Sequence, residues 1–272
     1  MIKADRDPMD RDVNRINNTD DYYDYHHRLI GGIQTHINYH KYVVSIRTAS
    51  NNRIICGGVI IDKQWILTSG QCVVGYRRNP NSLTVWSGTD QLSSGGENQT
   101  VDKIIFTDGA DLDKLRNHVE TITYNIALIK LKLAINLNGQ TIKSVKLTES
   151  RPVFGHYIKL LGWGSVNQSN SVQNKLTAGD MYYDNNARKW CMDNYPVQQF
   201  CLYNRVYGVG TYDHGGPALY HNPRVSLVGI ISTGFTKQIK PIQEDRPSVT
   251  AYYAILTDIT EHRDWILKKT GI

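Results

Sequence analysis

Gly210-Thr211-Tyr212-Asp213-His214-Gly215-Gly216-Pro217 stands among short apolar runs. The Gly-Gly-Pro ending punctuates the chain as a turn. Two titratable side chains, Asp213 and His214, sit immediately before it. Working outward, the runs are broken by Gly, Asn and Ser: Tyr42–Arg47, Ile54–Ile61, Trp65–Thr68, Ser82–Trp86, Val101–Phe106, Ile126–Leu131, Tyr157–Leu161, Val225–Ser232 and Tyr252–Thr257. Many short strands at this spacing indicate a barrel or sandwich. No period of 20–50 residues is present, which excludes a repeat array.

The two ends read differently. Residues 1–28 are polar, Asp/Asn/Arg-rich and aperiodic, and are expected to form a flexible leader or propeptide. At the other end, Asp258-Ile259-Thr260-Glu261 has the form of a capping box, with Asp258 as N-cap and Glu261 reaching back. Ile259 and Ile266 then share one face with Trp265 beside them, which predicts a helix over about 258–268 stopped near Gly271. A polar stretch at Asn136–Ser150 divides the body into halves of similar strand count. The expected organisation is two β halves, about 29–140 and about 150–257, and the terminal helix.

Composition narrows the function classes. A chain of 272 residues with 40% hydrophobic residues, 22 Gly and 17 Tyr fits a turn-rich β protein with a sizeable core. The net charge is +6. The leader holds five basic residues and seven aspartates, so it carries −2 and the body +8. A basic body favours anionic partners such as glycosaminoglycan or acidic protein. No basic stripe interleaved with aromatics or nucleic-acid motif is present, so no nucleic-acid partner is expected. No apolar run can span a bilayer. Met1-Ile2-Lys3-Ala4-Asp5 lacks the apolar core of a secretory signal and is expected to stand in place of a removed one. Asn17, Asn98 and Asn167 open N-x-S/T sequons compatible with secretion and glycosylation. Cys56, Cys72, Cys191 and Cys201 suggest two disulfides and an oxidising compartment, with three connectivities allowed by spacing. No metal-type C-x-x-C pair occurs, and the adjacent His26 and His27 are a poor ligand pair in a solvated leader. No metal or cofactor is expected. Tyr182-Tyr183 and Tyr252-Tyr253 are read as strand residues before they are read as a binding face.

The motifs in order resemble the trypsin/chymotrypsin family of serine proteases across nearly all of 29–272. Arg28-Leu29-Ile30-Gly31-Gly32 is similar to the activation site. Trp65-Ile66-Leu67-Thr68-Ser69-Gly70-Gln71-Cys72 resembles W-[IV]-L-T-A-A-H-C. Asn125-Ile126-Ala127-Leu128-Ile129-Lys130-Leu131 resembles D-I-A-L-L-K-L, Gly162-Trp163-Gly164 matches G-W-G, and Val228-Gly229-Ile230-Ile231-Ser232 resembles the start of V-G-I-V-S-W-G. The opening stretch resembles G-D-S-G-G-P with histidine in the serine's place. The resemblance implies an all-β fold of two antiparallel six-stranded barrels with a C-terminal helix and a cleft between the barrels. It also implies bridges Cys56–Cys72 and Cys191–Cys201, and Gly210 in place of another family cysteine.

By the same resemblance, all three catalytic positions differ. Gln71 stands at the general-base histidine, and a glutamine amide accepts no proton near neutral pH. Asn125 stands at the buried aspartate; in an active relative that change alone lowers turnover by about four orders of magnitude. His214 stands at the serine. Tyr212 replaces the oxyanion-hole glycine, where a bulky side chain restricts φ and crowds the cleft. Asp213 matches the partner of the α-ammonium that cleavage after Arg28 would free at Leu29. In the specificity pocket, Gly208 stands at the trypsin aspartate, Ser232 and Gly234 are kept, and Thr233 stands at a wall tryptophan. Phe235–Tyr253 is expected to be a surface loop longer than usual beside the pocket entrance.

Substitution at all three positions of an otherwise intact frame resembles the scabies mite inactivated protease paralogues, related to the mite group 3 allergens. That resemblance implies a secreted, monomeric serine pseudoprotease whose partners are host proteins, complement components above all. The alternatives are a cleft-based decoy for protease substrates or inhibitors, and a weak hydrolase with a non-standard nucleophile.

Overall fold

Burial alternates along the strands as a two-residue period requires: Leu83–Ser87 and Thr177–Tyr183 bury every second side chain. Other strands, such as Ile54–Asp62, are buried on both faces, which explains their continuous apolar runs. The computed structural model describes residues 32–117, 123–164, 172–183, 187, 198–210, 212–239 and 249–272.

The strands are β1 (Ile33–Gln34), β2 (Val43–Thr48), β3 (Ile54–Asp62), β4 (Trp65–Thr68), β5 (Leu83–Ser87), β6 (Glu97–Phe106), β7 (Ala127–Leu131), β8 (Lys146–Leu147), β9 (His156–Gly162), β10 (Thr177–Tyr183), β11 (Gln199–Asn204), β12 (Pro217–His221), β13 (Val225–Ile239) and β14 (Val249–Asp258). Strands β2-β3-β4-β7-β6-β5 close the first barrel. In the second, the order β10-β11-β14-β13-β12-β9 is closed by β10 pairing with β9 along seven residues. Closure removes the unpaired edges that an open sheet exposes. The two six-stranded antiparallel barrels are the fold expected from the sequence. Two short strands lie outside the rings. β8 pairs parallel with β13, and β1, which falls within the span assigned to the first half, hydrogen-bonds onto β10 of the second barrel.

The same strands serve two cores. Val44, Ile46, Ile60, Ile66 and Ile129 fill the first barrel. Ile158, Leu160, Met181, Leu202, Val228 and Leu256 fill the second. Their alternate neighbours Val59, Leu67, Leu128, Leu161 and Ile230 face outward into a third cluster between the barrels. Helix α1 (Gly70–Val73) follows β4, α2 (Leu112–Arg116) precedes β7, and α3 (Ile259–Thr270) ends the chain. α3 sets Ile259 and Ile266 into the inter-barrel cluster.

The cap of α3 departs from the capping box. The Asp258 carboxylate accepts from the Thr260 N–H at 2.8 Å. The Asp258 N–H, which Glu261 would have reached, already donates to the Gln198 carbonyl. Glu261 pairs instead with Arg151, which also contacts Asp258. Gly271, at φ 75°, closes the helix by donating to the Leu267 carbonyl.

The described parts of Phe235–Tyr253, residues 235–239 and 249–253, are strand and not loop. β13 runs 15 residues, and the register Phe235↔Tyr253, Thr236↔Tyr252, Lys237↔Ala251 continues to Ile239↔Val249. Tyr253 and Ala251 are fully buried, and Phe235 stacks on Tyr253 at 4.9 Å and 11°. Pro241 and Pro247 suggested a loop, but they lie outside the described residues and the β-formers flanking them pair. Cys56 and Cys72 form a disulfide linking β3 to α1. Cys201 is also disulfide-bonded, and Cys191 lies outside the described residues. Among the described residues no helix is long and apolar enough to cross a membrane.

Candidate functional site

Four segments from both barrels meet at the cleft. Gln71 lies on α1, set directly after β4. Asn125 immediately precedes β7 and is fully buried. His214 occupies the turn leading into β12. Ser232 sits at an irregularity of β13, where the register jumps between Ile231↔Leu256 and Thr233↔Ile255. A bulge leaves its extra residue out of the ladder, so the Ser232 carbonyl and hydroxyl are turned to the cleft.

One hydrogen-bonded network joins them. The Asn125 Oδ1 accepts from the Ser69 hydroxyl at 2.7 Å and from the Gln71 backbone N–H at 2.9 Å. Its amide nitrogen donates to Ser232 Oγ at 2.7 Å. The Gln71 side-chain Nε2 donates to the Ser232 carbonyl at 2.9 Å and lies 3.1 Å from Nδ1 of His214. A primary amide has two N–H groups and neither accepts. Nδ1 of His214 must therefore be the acceptor, which assigns the ring proton to Nε2. The backbone holds the frame in place: Gly57 donates to the His214 carbonyl, Gly215 to that of Ile231, and the Thr257 hydroxyl to that of Asn125.

The turn around His214 is tightly constrained. Gly215 has φ 78°, and a Cβ there would lie 2.2 Å from Thr68 Oγ1 and 2.5 Å from the Gly57 carbonyl oxygen, so only glycine fits. Tyr212 also has a left-handed φ, 76°, where a side chain is strained. Its half-buried ring packs against the inter-barrel cluster. Asp213 is fully buried. Its two carboxylate oxygens accept from the backbone N–H groups of Gly164 and Gly210, each at 2.8 Å. Burial pushes its carboxyl up to about 7, with those two N–H groups pulling the other way. Arg28 and Leu29 lie outside the described residues, as do Asn17 and Asn167. Asn98 is exposed at the start of β6.

The pocket beside this network is filled. A Cβ on Gly234 would lie 2.8 Å from Cβ of Val209 and 3.1 Å from the Tyr253 carbonyl. The segments carrying Val209 and Gly234 are therefore in contact, with no room for a side chain between them. A Cβ on Gly208 would fall 2.5 Å from the Tyr252 ring. Sequence reading singled out Gly208, Ser232, Thr233 and Gly234 but missed Val209, Tyr252 and Ser69. Tyr252 was read as a strand residue, and no local pattern showed that its ring would lie against Gly208. Ser69 was legible as the residue ahead of Gln71 but had no evident partner.

The family model described as Trypsin matches residues 29–266. The chain belongs to the trypsin family. It is 28% identical to the clotting factor G beta subunit of Tachypleus tridentatus over 89% of this chain and 80% of that protein. It is 26% identical to a trypsin of Sarcophaga bullata over 89% and 88%. It is 24% identical to a snake venom serine protease homolog, rhinocerase 3, of Bitis rhinoceros over 88% and 85%. Among solved structures, neuropsin, a serine protease of mouse brain, superposes with TM-score 0.71 at 21% identity, covering 88% of this chain and 98% of that one. The scabies mite inactivated protease paralogue S-D1 superposes with TM-score 0.69 at 22% identity, covering 89% and 97%. At that identity the last two likenesses speak for the fold.

Proposed function

We propose that this trypsin-family chain is a secreted pseudoprotease that acts by binding proteins and hydrolyses none. The observation that carries this reading is the centre of the cleft. By the flanking motifs, Gln71, Asn125 and His214 stand at the positions of the family's base, buried acid and nucleophile. Gln71 faces His214 with N–H groups, so it offers nothing that could take a proton. Asn125 is neutral and cannot stabilise an imidazolium as a carboxylate does. An imidazole at 214 yields no alkoxide. The close contact of Val209 with Gly234 also argues against a substrate or inhibitor side chain seated in the pocket, and so against a cleft-based decoy. The engaged Nδ1 of His214 argues against a weak hydrolase built on that ring.

Secretion is supported by the Cys56–Cys72 disulfide and by a family whose members are commonly secreted. The partner class is that carried by the resemblance to the mite paralogues: host proteins, complement components above all, held on an outer barrel surface. The test is rescue. The Q71H/N125D/H214S variant, cleaved after Arg28, is expected to hydrolyse Arg-, Phe- and Ala-type substrates within about tenfold of buffer, because Tyr212 and the filled pocket remain. Trypsin-like rates in that variant would show an open cleft. Turnover by the unaltered chain that disappears in H214A would overturn the proposal outright. In a complement lysis assay, H214S is expected to inhibit as well as the unaltered chain.

A further inference from the structure

The outer wall of the first barrel carries a row of side chains that the cleft does not use. Across neighbouring strands, Asp62 of β3 pairs with Trp65 of β4, Trp65 with Lys130 of β7, and Lys130 with Lys103 of β6. Paired residues share a face, and this face is the outer one. Their neighbours Ile66, Ile129 and Ile104 point into the barrel core. Lys132, two residues beyond Lys130, repeats the outward direction and is exposed. Lys63 is exposed in the turn between β3 and β4, where its carbonyl accepts from Ile135. Four lysines thus lie along this part of the barrel wall, and one of them, Lys130, reaches the Trp65 indole.

Lys103 and Lys130 stand directly opposite each other. Like charges in that position destabilise a sheet. No acid relieves them: none of Lys63, Lys103, Lys130 and Lys132 has an ion pair among the described residues. The Lys130 ammonium lies 5.8 Å from the Trp65 ring centroid, a cation–π contact that orients it without neutralising it. Two carboxylates border the face. Asp62 caps the turn by accepting from the Gln64 N–H. Asp102 occupies the β6 bulge and is exposed.

We infer that this face is a docking surface for a linear sulfated polysaccharide. The occupant follows from charge and shape. The row supplies unneutralised cations on two adjacent strands, in a body that carries +8 outside its leader. All four cations are lysine. Lysine is a compact point charge on a flexible stem with three rotatable donors, so the row can follow anionic groups spaced along a chain without demanding one fixed geometry. Trp65 is half-buried, packs against the inter-barrel cluster and holds the Lys130 ammonium over its ring, so it fixes one cation of the row in place. An anion chain lying along the row would relieve the Lys103–Lys130 repulsion, so binding and sheet stability are coupled. The surface is separate from the Gln71–His214 network and stands whether or not the cleft is silent.

The experiment uses the full chain on immobilised heparin and, in solution, a size-defined heparin oligosaccharide at physiological ionic strength. K103E/K130E is compared with R224E/K237E, which makes the same charge change at exposed positions on the second barrel. The expected result is a loss of about tenfold or more in oligosaccharide affinity for K103E/K130E, a much smaller change for R224E/K237E, and a shallower salt dependence for the first variant only. The K103E single variant separates binding from folding. It places opposite charges across the strands, so its thermal midpoint without ligand should rise while heparin no longer raises it. Equal losses in the two double variants would reduce the effect to diffuse net charge and overturn the inference. So would no retention of the unaltered chain, or equal displacement by poly-glutamate.

Discussion

The centre of the cleft and the pocket beside it depart from an active arrangement in opposite ways. At the centre, polar side chains are replaced by other polar side chains and the hydrogen bonds persist. Asn125 accepts from Ser69 and Gln71 and donates to Ser232, the same three contacts that a carboxylate would make with the Ser232 hydroxyl turned round. In the pocket the departure is one of space, with glycine at 208 in the place the resemblance gives to an aspartate. Val209 meets Gly234 and the Tyr252 ring covers Gly208. The difference follows from what each region would suffer if simply emptied. A buried polar group without a partner loses about 1–3 kcal/mol, so every member of the network keeps its hydrogen bonds. An apolar void loses its contacts outright, so a pocket with no ligand to hold is stable only once filled.

The largest expected effect comes from breaking the centre. Asn125→Leu would strand the Ser69 hydroxyl, the Gln71 N–H and the Ser232 hydroxyl in a fully buried site. A loss of about 3–5 kcal/mol is expected in denaturant unfolding, comparable to breaking a buried polar network. Asn125→Asp should be milder, because Oδ1 keeps both donors and the hydroxyl of Ser232 can turn to donate. A cost under about 1 kcal/mol for the leucine variant would show the network to be incidental to stability.

Next comes reopening the pocket. Gly208→Asp restores the charged anchor of trypsin-like members, but its Cβ would lie 2.5 Å from the Tyr252 ring. Expected is a loss of about 2–3 kcal/mol from overpacking and an unpaired buried charge. Adding Tyr252→Ala should recover part of it, since the two sites touch and their effects cannot be additive. Benzamidine protection of the double variant, and not of the single, would show that a pocket lies latent beneath the ring. Full stability of Gly208→Asp alone would mean the ring moves freely and the pocket is not filled in solution.

These regions also show how much the sequence revealed. A barrel or sandwich, the terminal helix and its Asp258 cap were legible in local patterns, namely short apolar runs between turn residues and a strong N-cap signal, whereas the two six-stranded barrels followed from the family resemblance. So did the meeting of Gln71, Asn125 and His214, through the motifs flanking each. What was missed is non-local. Phe235–Tyr253 was read as loop from its prolines and charges, yet Phe235 and Tyr253 pair and stack across the hairpin. Glu261 fitted a capping box, but the backbone it would have capped is already taken by Gln198, which no local pattern reveals. The contact of Val209 with Gly234 depends on where two distant segments settle.

Taken over a single pH unit, the smallest effects are those of protonation, and here too the cleft and its surroundings oppose each other. Asp213, with its carboxyl raised to about 7, is protonated in the folded chain and ionised in the unfolded one between about pH 4 and 7. The folded state then binds the extra proton, so this group's contribution to stability falls as pH rises through that window, by about 1.4 kcal/mol per unit. His40 and His262 act the other way. Burial lowers both to about 4, so between about pH 4 and 6.5 the unfolded state binds more protons and stability rises with pH. The buried Nε2 of His262 finds no hydrogen-bond partner among the described residues, and its ring meets Tyr124 edge-on at 5.8 Å. His262→Phe keeps that packing and should flatten the acid side of the stability curve. Asp213→Asn should remove its fall between about pH 4 and 7, which steepens the rise that the two histidines give below about pH 6.5. In urea midpoints measured from pH 4 to 8, identical curves for Asp213→Asn and the unaltered chain would mean that a cation neutralises the buried carboxylate in solution.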